Sequence, residues 1–328
     1  MIQPIRWGII GLGKIAEKFA TDLITVPNTQ LYAVASTSLE RAEDFAKKFN
    51  VPHYYDSYEA IAKTSGLDVI YIATPHSSHA QNTILCLNNK IPVLCEKPFA
   101  MNLKEVQSMI DTAKAKETFL MEAMWTRFMP VIQKTVELIA EGCIGKIRTI
   151  HADFGFVAPF TPEKRTLNPN LGGGALLDIG IYPAYLCLLL LDYPSEIQAV
   201  STFGTTGVDE TTSVVFKYPQ ATALLNATFA SRTRTEAFIY GEKGYIHLPE
   251  RFHESKTLTV YETDKEPVTF TFDRETRGYT FEIEEVNSCL RTNKKESVKM
   301  PLSMSAKLIH LLDEIRQKAG IFYEGIDA

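Results

Sequence analysis

The stretch GIIGLGKIAEKF, residues 8–19, carries the pattern on which the prediction of the fold depends. Gly11, Gly13 and Ala16 form G-x-G-x-x-A directly after a predicted strand and at the start of a predicted helix, the context in which this pattern binds dinucleotides. Gly11 permits the tight turn, Gly13 lets backbone amides approach a pyrophosphate, and Ala16 lets the helix pack closely on the strand. The alternative is an ordinary strand–helix turn that uses glycines.

The predicted helix begins at this turn, with Lys14 and Ile15 following the second glycine. The first backbone N–H groups of a helix lack partners within the helix, and the helix dipole adds partial positive charge at the same end. Both properties favour a bound anion. We therefore expect Gly11, Gly13, Lys14, Ile15 and Ala16 to surround the pyrophosphate of a nucleotide cofactor.

Short apolar runs alternate with helical patterns from this turn to about residue 124. Near-continuous apolar strands separated by amphipathic helices indicate a parallel sheet covered on both faces, and ligands of such sheets bind beyond the carboxyl ends of the strands. The sequence therefore predicts an α/β fold with a Rossmann domain, a doubly wound parallel sheet, over residues 1–124. Its predicted strands cover residues 6–10, 31–36, 53–55, 69–74, 92–95 and 119–124.

Alternation of apolar and polar residues with period 2 replaces this pattern after about residue 125. Consecutive strands joined by short polar turns indicate a large, mainly antiparallel open sheet, here interrupted by helices at 131–141 and 175–191. The second predicted domain, 125–328, is therefore an α+β domain for substrate binding and oligomerisation. It ends in an amphipathic helix, 304–315, whose packing back on the first domain is one option. Its predicted strands cover residues 147–154, 197–203, 213–218, 222–230, 238–240, 258–262 and 268–272.

Composition narrows the classes of partner and compartment. The 328 residues carry a formal net charge of −5 without a run of lysines and arginines, which argues against nucleic acid. The longest apolar stretch, 184–193, falls short of the roughly 18–20 residues that a membrane span needs, so we expect a core helix and no membrane partner. Five scattered cysteines without a CxxC spacing, and an N-terminus without a signal-peptide pattern, predict reduced thiols in a cytoplasmic protein.

The end of the second predicted strand distinguishes NADP from NAD. A NAD site usually has an acidic residue there, whereas this chain has Ser36 and Thr37, followed by Arg41 one helical turn later. Hydroxyl groups and a guanidinium suit a 2′-phosphate. Glu40 is an objection, but Thr37 and Glu40 fit a capping box that would occupy the carboxylate. The residues favour NADP, with NAD as the alternative cofactor and a solvated helix residue as the alternative for Arg41.

Polar side chains cluster at the end of the fourth predicted strand, in ATPHSSHAQ. Thr74, Pro75, His76 and His79 would lie where a nicotinamide extends from the glycine turn. The H-x-x-H spacing lacks a third ligand, so we expect these residues to contact cofactor or substrate, and we expect no metal site. Helix capping by one of the intervening serines is the structural alternative.

The fifth predicted strand ends in Glu96, Lys97 and Pro98, an ion pair followed by a proline. Hydride transfer to a carbonyl needs a group that gives a proton, or polarises the oxygen, as negative charge develops there. Lys97 suits this task because partial burial makes an ammonium a better proton donor near neutral pH. We expect Glu96 and Lys97 to lie at the cofactor as well. A surface turn is the alternative.

These motifs resemble the Gfo/Idh/MocA family of oxidoreductases over nearly the whole chain. The glycine turn, the EKP triplet with the following FAMN, the segment MEAMWTRFMP and the later GGGALLDIGIYPAY occur in the family's order. The resemblance implies that Lys97 is catalytic and that the Lys97–Pro98 bond is cis. Trp125 and Arg127, just past the last predicted strand of the first domain, are expected to line the pocket. An interdomain salt bridge is the alternative for Arg127.

Most members of this family have D-x-G-x-H where this chain has Asp178 and Tyr182. The two residues fall at i and i+4, which is one face of an α-helix. A tyrosine there resembles the dihydrodiol and xylose dehydrogenase branch, which implies that Tyr182 shares proton transfer with Lys97 and that Asp178 orients the substrate. A nearby ammonium would help because the pKa of a free tyrosine is about 10. A buried core tyrosine is the structural alternative.

The sequence therefore predicts an oxidoreductase that transfers a hydride between NADP and an alcohol or carbonyl carbon of a sugar, polyol or cyclic diol. A NAD(P)-sensing regulator of the same fold is the alternative, but the presence of Lys97, Tyr182 and Asp178 together favours the enzyme. One free face of the predicted second sheet, and the habit of the tyrosine-bearing branch, predict a homodimer through that sheet.

Overall fold

Strands and helices alternate through the N-terminal part of the chain, as the apolar periodicity predicts. The structure, a computed structural model, describes residues 3–327. In chain order the elements are β1 (Ile5–Ile10), α1 (Lys14–Leu23), β2 (Thr29–Ala35), α2 (Leu39–Phe49), β3 (His53–Tyr55), α3 (Tyr58–Ile61), β4 (Val69–Ile72), α4 (His79–Asn88), β5 (Val93–Glu96), α5 (Leu103–Ala115) and β6 (Leu120–Ala123). The strands pair in parallel in the order β3-β2-β1-β4-β5-β6, which confirms the doubly wound Rossmann sheet.

The central strands are apolar because both faces of the sheet are covered. All four residues of β4 are buried, and in β1 only Arg6 is less than buried. Helix α1 places Ala16, Phe19 and Leu23 against the sheet, three positions at nearly helical spacing. Strand β4 ends two residues earlier than predicted, so Thr74 lies in the loop that follows the strand and not within the sheet.

An eight-stranded sheet forms the second part of the fold. Its strand order is β14-β13-β12-β11-β7-β10-β9-β8, and only the β7–β10 pair is parallel, which confirms the mainly antiparallel sheet. Strand β12 was not predicted because its five residues follow a tight turn directly and include two at intermediate burial before the first buried one. The elements are α6 (Pro130–Ala140), β7 (Ile147–Gly155), α7 (Ile181–Leu191), β8 (Glu196–Phe203), β9 (Asp209–Lys217), β10 (Thr222–Thr228), β11 (Ala237–Gly241), β12 (Gly244–Leu248), β13 (Thr257–Glu262) and β14 (Val268–Thr271).

Two further helices, α8 (Tyr279–Arg291) and α9 (Leu302–Ala319), complete the chain. Helix α8 was not predicted because its buried face includes Glu282 and Asn287, which interrupt the apolar pattern. The helix packs on α1, and its start is held by Asp22, whose carboxylate accepts the N–H groups of Gly278 at 3.0 Å and Tyr279 at 2.9 Å.

This packing changes the predicted division of the chain. The first compact unit runs to Trp125 and takes up Glu275–Ala306 again, whereas the second comprises Thr126–Arg274 and resumes at Lys307. The sequence placed Glu275–Ala306 in the second domain, because no contact between α8 and α1 is visible in the order of residues. Helix α9 begins within the first unit and continues in the second.

One apolar helical stretch of the second unit, Pro169–Leu191, is long and apolar enough to cross a membrane. Of its most apolar window, 83% is buried within the protein, as in a core helix. A π-helical turn over Leu176–Gly180 precedes α7 within this stretch. This turn changes the spacing of side chains immediately before Tyr182.

Candidate active site

The glycine turn has the shape that a pyrophosphate requires. Gly11 has φ +88°, and a Cβ there would lie 2.8 Å from backbone atoms of Ala73 and Thr74, so only glycine fits. Gly13 is the N-cap of α1 and has no side-chain cap, and a Cβ at Gly13 would meet open space. Ala16 is fully buried against the sheet. The turn therefore combines a rigid base with exposed N–H groups at a helix start, which suits a diphosphate.

Lys14 and Ile15, the next residues of the turn, are both exposed, as Gly13 is. Arg41 reaches this turn from α2, and its Nη2 donates to the backbone oxygen of Leu12 at 3.2 Å. The guanidinium therefore lies at the glycine turn, although its position along the chain gives no sign of that contact.

The start of α2 differs from the prediction. The side chain of Ser38 is the N-cap, and its Oγ accepts the N–H of Arg41 at 3.4 Å. The predicted capping box of Thr37 and Glu40 is therefore wrong, because the helix begins one residue later than that motif requires. Ser36 is buried and accepts the N–H of Ser38, whereas Thr37 is exposed.

The loop after β4 links the glycine turn to the end of β5. The fully buried ring of His79 places Nε2 at 2.9 Å from the Thr74 oxygen and Nδ1 at 2.8 Å from the Pro98 oxygen. Both ring nitrogens thus face backbone carbonyls, and His79 ties the two strand ends together. His76 lies 5.7 Å away, ring to ring, in the turn after Pro75. The capping alternative is not observed at Ser78, the N-cap of α4, because its side chain makes no capping hydrogen bond.

Glu96 and Lys97 follow β5 at the carboxyl edge of the first sheet. The Lys97–Pro98 bond is cis, which confirms the expectation from the resemblance. Glu96 accepts a hydrogen bond from the Tyr71 hydroxyl on one oxygen and the Lys97 N–H at 3.2 Å on the other. Burial raises the pKa of Tyr71 well above its usual value, so this hydroxyl stays protonated and donates. Lys97 itself is half-buried.

Two further buried carboxyl groups of the first unit were not anticipated from the sequence. Glu122 on β6 accepts the N–H of Phe99 at 3.1 Å, and burial raises its pKa to about 7. Burial, together with the charges of Glu96 and Asp22, raises the pKa of Glu282 well above the usual value. Glu122 lies within the segment MEAMWTRFMP, but no role was predicted for either residue, because their raised pKa values depend on neighbours distant in sequence.

The two residues expected to line the pocket after β6 fall in different units. Trp125 is buried in the first unit and stacks on Tyr279, with ring centroids 4.8 Å apart and planes 9° apart. Arg127 is half-buried in the second unit, two residues later in the same 3₁₀ turn. The unit boundary between them could not be read from the sequence.

Asp178 lies in the π-helical turn and binds an arginine that the sequence did not mark. Its two carboxylate oxygens accept Nη1 of Arg165 at 2.9 Å and Nη2 at 3.1 Å, a bidentate ion pair. The prediction that Asp178 and Tyr182 share one face rested on α-helical spacing, and the π turn, which hydrogen-bonds i to i+5, alters it. Arg165 is therefore the missed neighbour of Asp178.

Aromatic rings surround Tyr182 in the second unit. The ring of His253 lies 4.9 Å from Tyr182 and stacks on Phe154 at 4.5 Å, and Phe154 lies 5.6 Å from Tyr182. Tyr182 is 6% exposed, as the core alternative expects, yet its neighbours include an ionisable imidazole. Neither His253 nor Phe154 belongs to a recognisable motif.

Comparison with known proteins decides the family. The family model described as "Oxidoreductase family, NAD-binding Rossmann fold" matches residues 5–124. A second model, described as "GFO/IDH/MocA C-terminal domain", matches residues 132–247. The chain belongs to the GFO/IDH/MocA oxidoreductase family. One relative, trans-1,2-dihydrobenzene-1,2-diol dehydrogenase of Danio rerio, is 38% identical to this chain, and the alignment covers 98% of both proteins.

Solved structures share the fold of this GFO/IDH/MocA protein at lower identity. A 3-ketoreductase from Actinomadura kijaniata, in complex with NADP and TDP-benzene, superposes with a TM-score of 0.87 at 24% identity. Levoglucosan dehydrogenase, in complex with NADH and levoglucosan, gives a TM-score of 0.87 at 19% identity. In both comparisons the match covers 97% of this chain and 98% of the other.

The family member described here is an NAD(P)-dependent oxidoreductase of the dehydrogenase type, and the comparisons support this catalytic interpretation over the regulatory alternative. The glycine turn fits the cofactor on the geometric grounds given above. Within residues 3–327 no group of three or more histidine, cysteine, aspartate or glutamate side chains could hold a metal ion.

Proposed function

We propose that this dehydrogenase interconverts an alcohol and a carbonyl on a sugar, polyol or cyclic diol, with NADP as its preferred cofactor and with Lys97 and Tyr182 as the proton-transfer groups. The placement of Lys97 is the observation that carries the proposal. A Cβ at Gly11 would touch the β4 loop, and His79 joins that loop to Pro98, next to Lys97. The glycine turn and Lys97 thus belong to one continuous edge of the first sheet.

The substrate class is supported by the surroundings of Tyr182 together with the named relatives. The dihydrodiol dehydrogenase relative acts on a cyclic diol, and two structural neighbours are named for sugar substrates or ketone reduction. In this chain the Arg165–Asp178 pair offers polar groups for hydroxyls, while Phe154 and His253 place aromatic rings beside Tyr182. Adjacent hydroxyl groups on a ring would use both kinds of contact.

The cofactor, when bound, supplies or accepts the hydride. In the direction of carbonyl reduction, an ammonium at Lys97 or the phenol of Tyr182 gives a proton to the oxygen as negative charge develops there. In the direction of alcohol oxidation the same groups accept that proton. Glu96 contributes by holding the backbone at Lys97, since its carboxylate accepts the Lys97 N–H.

A substrate panel tests the proposed activity. Purified protein is incubated with NADP and with cyclic vicinal diols, aldoses and polyols between pH 6 and 10, and reduced cofactor is followed by absorbance. We expect turnover on at least one cyclic vicinal diol or sugar. Binding of NADPH by calorimetry without turnover of any member of the panel would contradict the proposal and favour a sensor.

The preference for NADP depends on Arg41. We predict that Arg41→Ala weakens NADPH binding by about 10- to 100-fold and leaves NADH binding nearly unchanged, because a charge-assisted contact to the 2′-phosphate is lost. Calorimetric titration with both cofactors measures the effect. Lys47→Ala, on the same helix and exposed, is the matched control. Equal weakening for NADH and NADPH would show that Arg41 only supports the glycine turn.

A homodimer through the second sheet is part of the proposal. Val200, Val215 and Leu224 are 66%, 38% and 46% exposed, and they lie on three consecutively paired strands, β8, β9 and β10. A shallow depression of about 650 Å³ lies on this face. Exposed apolar side chains grouped on a flat sheet favour burial by a second copy.

Leu224→Glu tests the dimer. We predict that it converts the protein to a monomer in sedimentation velocity, because a carboxylate would be buried without a partner in the interface. Val268→Glu is the control, since Val268 is 50% exposed on the outermost strand, away from the proposed contact. An unchanged sedimentation coefficient for Leu224→Glu would contradict this interface.

The cytoplasmic location is likewise proposed. All five cysteines are free, and four of them are buried. Free thiols of this kind persist in a reducing compartment. Fractionation of cells that express the tagged protein measures the location, and recovery outside the cytoplasm would contradict it.

A further inference from the structure

Glu122 lies on β6, next to the end of β5 that leads into the turn with Lys97. In the parallel register of β5 and β6 it pairs with Cys95, so it is adjacent to the strand end from which Lys97 follows. Its side chain is 1% exposed. One carboxyl oxygen accepts the N–H of Phe99 at 3.1 Å, two residues beyond Lys97. This hydrogen bond holds the backbone just after the cis Lys97–Pro98 bond.

The charges around Glu122 come from one strand end. Burial raises its pKa to about 7, and Glu96 acts in the same direction, whereas the Phe99 N–H and the Lys97 ammonium act in the opposite direction. Cys95 faces it from β5, where burial raises the pKa of the thiol well above its usual value and keeps it neutral. Glu122 is thus the group of this set that changes charge near neutral pH, and Lys97 is the cation that its charge affects.

We propose that Glu122 is a positioning residue for Lys97, which braces the Lys97 turn through Phe99 and changes the acidity of the Lys97 ammonium when its own charge changes. This inference rests on the proposed proton transfer by Lys97. The brace is present in both charge states, because a carboxyl oxygen accepts an N–H whether the group is ionised or neutral. The electrostatic effect is present in the ionised state alone.

The direction of the pH effect follows from these charges. Above about pH 7 Glu122 is an anion, which stabilises the Lys97 ammonium and makes it a weaker acid. Because the rate of proton transfer depends only partly on acid strength, carbonyl reduction should slow by about three- to tenfold between pH 6 and pH 8. A neutral residue at position 122 removes this decline.

Nuclear magnetic resonance tests the coupling without any turnover. Lysines are reductively methylated with ¹³C-formaldehyde, and the Lys97 signal is assigned by its loss in Lys97→Met. We expect the wild-type Lys97 signal to shift with an inflection near pH 7, and we expect no such inflection in Glu122→Gln. A wild-type signal without an inflection between pH 6 and 8 would overturn the proposal, even if the variant failed to fold.

Steady-state kinetics then separates the electrostatic effect from simple bracing. Glu122→Gln keeps the size of the side chain and an oxygen that accepts the Phe99 N–H. In this variant, kcat for carbonyl reduction at pH 8 should therefore equal its value at pH 6. Glu105→Gln is the matched control, because Glu105 accepts the N–H of Met101 at 3.0 Å in the following part of the same loop. A wild-type decline in Glu122→Gln, or loss of the decline in Glu105→Gln, would overturn the proposal. If Lys97→Met stays fully active, the proposed role of Lys97 fails, while the resonance experiment still decides the coupling.

Discussion

Replacing Lys97 with methionine is expected to lower kcat for carbonyl reduction by about 10²- to 10⁴-fold, the range that a positioned proton donor contributes. Methionine keeps much of the length and the apolar stem of lysine but has no proton to give. The backbone contact to Glu96 is unaffected, because it uses the Lys97 N–H. NADPH binding should therefore change much less than kcat, since the glycine turn keeps its shape.

Stopped-flow measurement of a single turnover checks this expectation, because it isolates the chemical step from product release. Lys104→Met, an exposed lysine at the start of α5, is the control for loss of one positive charge. If Tyr182 shares the proton with Lys97, the double variant with Tyr182→Phe should lose less than the product of the two single losses. Retention of kcat within a few-fold of wild type in Lys97→Met would refute the catalytic assignment.

Gly11→Ala should abolish tight cofactor binding and also destabilise the fold. A left-handed φ at a residue other than glycine costs roughly 1–3 kcal/mol, and the new Cβ would lie 2.8 Å from backbone atoms of Ala73 and Thr74. The β4 loop must move away, and the glycine turn moves with it. We expect a loss of NADPH affinity on the order of 100-fold or more and a lower free energy of unfolding.

Gly13→Ala distinguishes the two effects. Gly13 has negative φ, and among residues 3–327 no atom beyond its chain neighbours lies within 4 Å of a Cβ placed there, so the fold should keep its stability. The methyl group would still occupy the space that a pyrophosphate needs. Urea denaturation and NADPH titration of both variants measure the two quantities. Equal stabilities for Gly11→Ala and the wild type would contradict the close packing described above.

The predicted fold agrees with the structure wherever side-chain patterns are local. Continuous apolar runs such as β4 identify the buried parallel strands, and alternation identifies most of the second sheet. Helix α8 escaped prediction because Glu282 and Asn287 lie on its buried face. Asn287 is accommodated there by the hydrogen bond from Trp7 Nε1 at 3.1 Å, which joins residues 280 positions apart.

In the candidate site, too, features set by local motifs were predicted and features set by the path of the backbone were not. The glycine turn, the cis Lys97–Pro98 bond and the family were anticipated from motifs. The capping of α2 was predicted one residue too early, because Ser38 and Thr37 are chemically similar and only the backbone path selects between them. The bidentate partner of Asp178 was missed because Arg165 lies in a loop without regular periodicity.

The amino-acid sequence by itself determined the two kinds of sheet, the nucleotide-binding turn and the family, because each depends on spacing within a short segment. Only the tertiary structure decided which buried carboxyl groups lie near Glu96, at the end of the strand that leads to Lys97. Glu122 follows Lys97 by 25 positions and Glu282 by 185. Folding buries both near Glu96 and removes the water that would otherwise screen their charges. Their raised pKa values therefore arise from burial and proximity, which no local pattern of residues encodes.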